Sequence, residues 1–489
     1  MTASFQVEER SIVRRALRLL GLSRQISRHA SRSFGYDGAA GGRRLRNAGE
    51  IPISLSSQLA AHRTLATRGR YLVANNGFAR AGASAWTSAL VGAGITAQSA
   101  APTPESRKII NAAWARFVDD CDVDGLVDFN GMQAQVAERT VVDGECFATF
   151  LHDSHGRSQI RLMDATQVDG AYHTEQARGA RIVAGVEFDE AGRRVAYHAF
   201  RQRPGLPIMT SLELVRLPAE DVAHIFRVET PGQVRGVSWF AAVILRLADL
   251  DQAHDAQLMK QKVAALLAGF IVDPNGDAGS FGGKSDGEGN LDGGLEPGTL
   301  KVLQPGQDIR FSDPAAIGME AIEFLKITAR EIAAGLGVPY ESLTGDLTGV
   351  NYSSIRAGLV DFRRRAEALQ HNVMVRQFCR PVWRRWLTTE ILAGRIDAPG
   401  FERDPEVWLA VNWLPPRNDW VDPLKDAQAE ILAINAGLMS RRQAVAARGY
   451  DLERLDAEIS QDRQDAEALG LSFAPAAAPG APSSEANAS

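Results

Sequence analysis

The stretch that decides the fold is Thr344-Gly345-Asp346-Leu347-Thr348-Gly349-Val350-Asn351-Tyr352-Ser353-Ser354-Ile355-Arg356-Ala357-Gly358-Leu359. Its first half is polar and contains two glycines, which is typical of a loop. Its second half begins a long helix, because apolar residues recur at alternating spacings of three and four. Those residues are Tyr352, Ile355, Leu359, Phe362, Ala366, Leu369 and Val373. Asn351, Ser353 and Ser354 are all candidates for the N-cap. We predict a short loop that leads directly into a one-sided helix.

The helix continues beyond this stretch. Five arginines lie off its apolar face, namely Arg356, Arg363, Arg364, Arg365 and Arg376. Pro381 falls inside the continuing pattern, which runs to Gly394. Because a proline removes a backbone donor and crowds the preceding turn, we predict a kink near Cys379. A buried helix with a solvated basic face explains the pattern within one subunit, whereas in a ring of subunits the loops before it would point at a common axis.

The composition is that of a globular protein with several sub-domains. The chain has 489 residues, 45% of them hydrophobic, and a net charge of −5. No apolar run is long enough for a membrane span, and no export signal begins the sequence. The net charge argues against tight binding of nucleic acid over the whole surface, but a passage through which nucleic acid slides remains compatible with it. The three cysteines, Cys121, Cys146 and Cys379, have neither metal-site nor disulfide-framework spacing, so a reducing cytoplasm is the natural compartment.

Two segments at the ends of the chain stand apart. Residues 1–50 contain ten arginines, no lysine and four acidic residues. They predict a basic arm, either a solvated tail or a segment that binds a partner or nucleic acid. Residues 473–489 are rich in alanine, proline and serine and are predicted to be disordered.

Between these ends we predict helices, then strands, then helices again. Residues 54–90, 106–121 and 131–142 have helical periodicity, with Ile109, Ile110, Ala113, Trp114 and Phe117 on one face of the second helix. Residues 143–227 predict a small antiparallel sheet with a hairpin at 189–193. Long helices follow at 238–267 and 319–335, on either side of residues 270–315. A strand is predicted at 407–413, and residues 422–469 are predicted to be helical with turns near Gly437 and Gly449.

We find no signature of an enzyme, a metal site or a cofactor site. The segment 278–285 resembles a phosphate-binding loop, but its first required glycine is Ala278 and no strand and helix flank it. His152 and His155 lie in a predicted hairpin turn without a third ligand. The acidic segment 119–124 lacks the glycine and glutamate of a calcium loop.

Taken in order, several of these motifs resemble the lambda-type portal protein of tailed bacteriophages. The matching stretches lie between about residues 36 and 469. They are residues 68–95 around Asn75-Asn76, Asp143-Gly144-Glu145, Gly185-Val186-Glu187-Phe188-Asp189 with Gly192-Arg193, Pro231-Gly232-Gln233-Val234-Arg235-Gly236, and Asn351-Tyr352-Ser353-Ser354-Ile355-Arg356-Ala357. The residues that carry the motif most clearly are Gln233, Arg235, Gly236, Asn351, Tyr352 and Arg356.

The resemblance implies an α+β portal fold with named regions. These are a basic arm (1–50), a wing of helices and a small antiparallel sheet (51–237), a first stem helix (238–269), a small α/β clip (270–315), a second stem helix (316–340), a tunnel loop (341–352), a long kinked helix and wing (353–420), a helical C-terminal crown (421–472) and a disordered tail (473–489).

It also implies a function that is not enzymatic. Portals of this family form a ring, usually of twelve subunits, at one capsid vertex of the virion, and they are assembled in the host bacterial cytoplasm. Double-stranded DNA passes through the ring, while the terminase large subunit, head-tail connector proteins and major capsid or scaffold proteins bind it, with no membrane involved. The tunnel-loop residues Thr344, Asp346, Leu347, Thr348, Val350 and Asn351 would face the DNA without sequence specificity. Lys260 and Lys262 are candidates for a basic ring in the stem or for ordinary exposed lysines.

Two other classes of function stay open on the sequence alone. An oligomeric capsid scaffold or adaptor would need no loop at the symmetry axis and no contact with DNA. A DNA-processing enzyme would need a carboxylate cluster or a nucleotide site.

Overall fold

The computed structural model describes residues 55–176, 179–205, 213–265, 269–272, 284–285, 291–292, 308–311, 319–349, 351–416 and 423–471. The predicted basic arm, the predicted C-terminal tail and most of residues 270–315 lie outside these ranges. The chain divides into two compact units, residues 1–60 and 61–489. The fold is α+β, as predicted, with helices and several small antiparallel sheets.

Four helices begin the described chain. They are α1 (Leu55–Asn75), α2 (Gly77–Leu90), α3 (Pro104–Asp120) and α4 (Phe129–Asp143). The single helix predicted over 54–90 is divided at Asn76, which has extended backbone and accepts a hydrogen bond from the Ala79 N–H, as an N-cap does. On α3, the predicted apolar face is wrong at Ile109, which is 55% exposed, while Ile110, Trp114 and Phe117 are buried.

The predicted single sheet is two sheets. The strands are β1 (Thr96–Ser99), β2 (Glu145–His152), β3 (Ser158–Met163), β4 (Thr174–Glu175), β5 (Arg181–Val183), β6 (Val186–Phe188), β7 (Arg194–Phe200), β8 (Leu214–Pro218) and β9 (Val222–Phe226). One sheet has the order β3-β2-β9 and the other β4-β5-β6-β7-β8. The segment 181–188 forms two strands, β5 and β6, because the chain turns through left-handed backbone at Ala184 and Gly185. The hairpin predicted at 189–193 is confirmed.

The two long helices that follow are α5 (Ile244–Ala265) and α6 (Met319–Leu336). α5 begins six residues later than predicted, because residues 238–243 form turns around the fully buried Phe240. Between the helices, four short strands are described, β10 (Gly269–Val272), β11 (Lys284–Ser285), β12 (Leu291–Asp292) and β13 (Asp308–Phe311). β10 pairs with β13 and β11 with β12, both antiparallel.

The chain then forms α7 (Tyr340–Thr344) and α8 (Tyr352–Leu369). α8 passes directly into a π-helical segment, Gln370–Cys379, and then into α9 (Arg380–Leu392). The irregularity predicted near Cys379 is therefore a π-helix that ends there, with the Arg380 N–H bonded to the Val375 carbonyl five residues earlier.

The C-terminal part is α10 (Pro405–Leu409), β14 (Val411–Leu414), α11 (Pro423–Asn435), α12 (Arg441–Ala447) and α13 (Leu452–Ala468). The predicted strand 407–413 is wrong in its first half, which is helical. β14 pairs with β1, which lies more than 300 residues earlier in the chain, and no local sequence pattern predicts this pairing. The turns predicted near Gly437 and Gly449 are confirmed.

Two groups of aromatic residues hold these helices together. Trp86 of α2 packs edge-on against Trp239 and Phe362, and its indole N–H donates to the Leu336 carbonyl at the end of α6. A second cluster joins α3, α4 and α9, with Trp114, Phe117, Phe129, Phe378, Trp383 and Trp386 in mutual contact. Since these contacts span residues 86–386, the helices form one core.

Gly144 marks the closest approach between α4 and the segment before α5. It has a φ of 96°, and a Cβ there would lie 2.3 Å from the carbonyl carbon of Val237. We expect Gly144→Ala to reduce the free energy of unfolding by about 2–4 kcal/mol, the sum of left-handed strain and overpacking. Gly192 is a matched control, because its φ is 77° but no atom lies within 4 Å of the position that an added methyl group would take. Gly192→Ala should cost only the strain, about 1 kcal/mol, and equal losses in urea unfolding would contradict the account.

Candidate functional site

The loop before α8 is shorter than predicted. Residues 341–344 belong to α7, where the Thr344 hydroxyl donates to the Tyr340 carbonyl at 2.9 Å. Thr344 is therefore the last residue of a helix rather than part of the loop. The connection between the helices is residues 345–351, hereafter the connecting loop, and Val350 within it lies outside the described residues.

Asp346 is the centre of the connecting loop. Its Oδ1 accepts hydrogen bonds from the hydroxyl and backbone N–H of Thr348, which closes a tight turn. Its Oδ2 accepts from the Tyr340 hydroxyl at 3.3 Å and lies 3.5 Å from the Lys326 ammonium of α6. The bonds from Thr348 and the nearby Lys326 lower the pKa of Asp346 to about 2. The loop therefore carries a permanent negative charge at neutral pH.

The other loop residues are divided between exposure and capping. Leu347 is 65% exposed and forms the apolar tip of the turn. Asn351 is the N-cap of α8, since its Oδ1 accepts from the Ser354 N–H at 2.9 Å. Arg356, one turn into α8, forms an ion pair with Asp426 of α11 at 3.2 Å. Tyr352 is the first residue of α8.

Lys260 and Lys262 are both exposed near the end of α5. Two residues along an α-helix correspond to a rotation of about 200°, so the two ammonium groups leave the helix on nearly opposite sides. The basic stem ring stays a prediction, in which only one of the two lysines of each subunit would face the channel.

Gln233, Arg235 and Gly236 lie in a different place, in a fully buried ion cluster. The Arg235 guanidinium contacts the Glu145 carboxylate, with Nε 2.7 Å from Oε1. Its other N–H groups donate to three backbone carbonyls, those of Ala165 and Val168 in one 3₁₀ turn and that of Ala184 between β5 and β6. A planar group with donors on several sides is suited to this task, and lysine would not replace it.

Glu145 is satisfied on its second oxygen as well. Oε2 accepts from the Gly236 N–H at 2.7 Å and lies 3.0 Å from His224 Nε2. His62 Nε2 lies 3.1 Å from Oε1. Gly236 is needed because a Cβ there would lie 2.1 Å from the Gly144 carbonyl oxygen. This cluster joins α1, β2, β9 and the segment before α5, so its role is to set the geometry of the fold.

Burial and pairing set the protonation states of the cluster. Burial alone would raise the pKa of Glu145, but the adjacent Arg235 and the two histidines hold that pKa well below its usual range. Burial lowers the pKa of His224 to about 4, although its hydrogen bond to Glu145 acts in the opposite direction. At neutral pH the carboxylate is therefore ionised and the His224 imidazole is neutral.

A pH dependence follows from His224. Between pH 6.5 and about 4 the unfolded chain binds a proton at this imidazole and the folded chain does not, so stability falls as the pH falls. The full effect of this side chain is on the order of 3 kcal/mol. Glu145 contributes a further loss of stability only at lower pH, as the pH approaches its depressed folded pKa.

We expect His224→Gln to flatten the plot of the unfolding midpoint against pH between 7 and 4. His155→Gln in the exposed β2–β3 turn should leave the slope unchanged, and a His224→Gln slope equal to that of the unchanged chain would refute the assignment.

Seven of the predicted residues lie in two places with different roles. The connecting loop collects Asp346, Leu347, Thr348 and Asn351, while the buried cluster collects Gln233, Arg235 and Gly236. Sequence reasoning missed Lys326 and Tyr340, which hold the loop, and the roles of Glu145 and His224. The available signal was a charged or titratable residue within the otherwise apolar strands β2 and β9. Nothing in the sequence links Lys326 to a loop twenty residues later.

Among the described residues, no group of His, Cys, Asp and Glu side chains is placed to hold a metal ion. Within the same ranges, the helices are too short or too polar to span a membrane.

Comparison with known proteins identifies relatives. The family model described as "Phage portal protein, lambda family" matches residues 41–370. A probable portal protein of Halomonas phage phiHAP-1 is 27% identical over 432 residues, which cover 84% of this chain and 82% of the relative. Portal protein B of Escherichia phage lambda is 25% identical over 400 residues, 74% of each chain. A solved chain from the neck of an empty gene transfer agent particle is 16% identical and covers 78% of this chain and 94% of its own length, with a TM-score of 0.48.

Proposed function

This chain belongs to the lambda family of phage portal proteins, and we propose that its copies form a closed ring at one vertex of a virion capsid. Double-stranded DNA passes through the ring during packaging and ejection. The terminase large subunit binds the ring during packaging, and head-tail connector proteins bind it afterwards. The observation that carries this proposal is the family match, which covers about two thirds of the chain.

The surfaces of α5 and α6 support a ring. Both helices are buried at the end near the core, through Leu247 and Leu250 of α5 and Ile332 and Leu336 of α6. Away from that end they expose large apolar side chains, namely Leu258, Met259, Ile322, Phe324 and Ile327. An apolar surface of this kind is normally covered by another protein. Neighbouring copies of the same two helices are the partner that a ring supplies.

The connecting loop is proposed to line the channel. Asp346 stays ionised and Thr348 is neutral and polar, so a passing duplex meets weak contacts rather than phosphate-binding lysines and arginines. Such a constriction guides DNA without holding it. The wing, stem, clip and crown regions defined above remain part of the proposal, as do the capsid partners and assembly in the host cytoplasm.

Shortening the connecting loop tests its role. We expect deletion of residues 346–349 to reduce the length or retention of packaged DNA in particles whose rings still assemble, because the constriction is removed. Glu190→Gly/Ala191→Gly in the exposed β6–β7 turn is the control and should leave packaging unchanged. Normal packaging by the loop deletion in assembled rings would exclude the channel role.

The native mass of the purified chain, with negative-stain imaging of the same sample, tests the ring itself. Twelve copies of the 52.9 kDa chain give about 635 kDa, with a hole on the axis. A neighbouring ring number would support the portal proposal and change only the stoichiometry. A compact dimer or tetramer without a hole, also in the presence of capsid proteins, would refute it in favour of an adaptor or scaffold.

A further inference from the structure

The π-helical segment Gln370–Cys379 lies inside a repeat of four residues. On the core side, every fourth residue from 366 to 386 is buried. These residues are Ala366, Gln370, Met374, Phe378, Val382 and Trp386. In a continuous α-helix, which has 3.6 residues per turn, such a repeat drifts round the axis by about 40° per step, or about 200° over five steps. A π-helix has wider turns, because its hydrogen bonds reach back five residues, so the segment offsets this drift and keeps the repeat on one face.

The same segment aligns three arginines on the solvent side. Every fourth residue from 364 to 380 is exposed. These residues are Arg364, Ala368, Asn372, Arg376 and Arg380. In a continuous α-helix, Arg380 would lie about 160° round the axis from Arg364. With the π-helical segment, Arg364, Arg376 and Arg380, hereafter the arginine row, share one exposed face over at most about 24 Å of helix.

The charge of this face is not balanced by carboxylates of the subunit. The three guanidinium groups of the arginine row make no hydrogen bond or ion pair with any residue that the structure describes. Between residues 364 and 380 the one carboxylate is Glu367. The elements that pack against the segment from the core, α2 and β9, contain no aspartate or glutamate. Carboxylates at the borders are already paired with other arginines, namely Asp361 with Arg365, Asp221 with Arg385 and Glu406 with Arg384. The face therefore has an excess of positive charge that only another molecule can neutralise.

The composition of the face favours a phosphate backbone over another protein. The exposed large apolar side chains that the structure describes all lie outside residues 364–380. Protein interfaces have a core of apolar and aromatic residues, which this face lacks. Arginine and asparagine side chains, in contrast, are common partners of phosphate oxygens. Because a DNA duplex carries about one charge per 1.7 Å of its axis, phosphates are available to every guanidinium group of a straight row.

We propose that the arginine row binds the phosphate backbone of double-stranded DNA outside the connecting loop. The guanidinium groups donate hydrogen bonds to phosphate oxygens, and these contacts carry no sequence specificity. The choice of DNA rests on the proposed function, which brings the chain next to DNA. The inference goes beyond that function, because the connecting loop guides the duplex through weak contacts whereas the arginine row holds it.

Binding of a DNA duplex to the full-length chain tests the proposal, measured by fluorescence anisotropy at several salt concentrations. A duplex of about 30 base pairs is the probe, and each phosphate that the protein neutralises contributes about 0.9 to the slope of log affinity against log salt. We expect Arg364→Gln/Arg376→Gln/Arg380→Gln to reduce the size of that slope by at least about 2, and the affinity at low salt at least about tenfold. The matched control is Arg63→Gln/Arg68→Gln/Arg403→Gln, which removes three exposed arginines elsewhere and should change the slope by less than about 1.

A variant that adds a charge keeps the test independent of any loss of folding. Ala368→Arg places a fourth cation on the same exposed face and should increase the size of the slope by about 1, whereas Ala429→Arg on the exposed side of α11 should not. An unchanged slope in the triple variant, or a change equal to that of its control, would overturn the proposal. So would poly-L-glutamate that binds the arginine row more tightly than the duplex at equal charge concentration, since the face would then fit an acidic protein. The native mass of the same samples is read separately: a compact dimer or tetramer refutes the proposed ring, whereas an unchanged slope refutes only the arginine row.

Discussion

Replacing Arg235 with methionine is expected to lower the free energy of unfolding by about 3–5 kcal/mol. This is a large fraction of the total unfolding free energy of an ordinary protein, which is about 5–15 kcal/mol. Methionine fills the space of the aliphatic part of the arginine, so the substitution mainly removes the guanidinium group. The substitution removes the guanidinium group that pairs with Glu145 Oε1. Among the described residues, the other group at this oxygen is the His62 imidazole, which is charged only when protonated. Three backbone carbonyls also lose their donors. A buried carboxylate without a compensating cation is among the most costly defects in a folded chain.

Urea unfolding of two further variants identifies the cause of that loss. Arg441→Met removes an exposed ion pair with Asp456 and should cost less than about 1 kcal/mol. The double variant Arg235→Met/Glu145→Gln removes the buried negative charge as well, and it should recover part of the stability lost in Arg235→Met. A double variant less stable than Arg235→Met would show that the unpaired charge is not the reason. A loss below about 1 kcal/mol for Arg235→Met would show that the cluster does not support the fold.

Replacing Phe324 with glutamate is expected to abolish ring assembly while leaving the subunit folded. Phe324 is 63% exposed on α6, so the substitution removes little packing within the subunit. In a ring, the proposed neighbour would bury the side chain, and a carboxylate there would be desolvated without a partner. Because the same defect repeats at each interface of a ring, a modest cost per contact has a large effect on assembly.

Native mass measurements with a matched variant separate this effect from unfolding. Leu126→Glu changes an apolar side chain that is also exposed, in the turn between α3 and α4, and should leave the ring intact. The unfolding midpoint of the Phe324→Glu subunit should lie close to that of the unchanged chain. If Phe324→Glu forms rings of normal mass, the subunit interface does not include Phe324. The exposed residues of α6 would then no longer support the proposed ring.

These predictions distinguish two sets of motif and loop residues: buried residues that support the fold, and exposed residues that do not. Arg235, Gly236 and Gln233 belong to the motif but are buried, and Gln233 accepts from the Glu229 N–H within its own loop. Asp346 and Leu347 are accessible at a loop. Variants of the first set are therefore expected to fail by unfolding, and variants of the second by losing an activity of the assembled ring.

The sequence by itself determined the parts of this protein that depend on neighbouring residues. The helix after Asn351, the hairpin at 189–193, the turns near Gly437 and Gly449 and the family itself follow from patterns within short windows, whereas the choice of Asn351 among three candidate N-caps needed the structure. These features depend on periodicity, capping and turn chemistry, whose range is a few residues. Where a kink was predicted near Cys379, the structure has a π-helical segment that ends there. The side chains of Gln370 and Gln377 in this segment bond to the Ala89 carbonyl and the Phe226 N–H, and no local pattern specifies these contacts.

Only the tertiary structure decided the rest. The pairing of β1 with β14, the division of the strands between two sheets and the exposure of Ile109 all depend on residues far apart in the chain or on a neighbouring surface. The same holds for the site residues. Glu145 meets Arg235 across 90 residues and Lys326 meets Asp346 across a helix end. The physical reason is that a buried ion pair is defined by what surrounds both charges once water is excluded, and that environment exists only after the chain has folded.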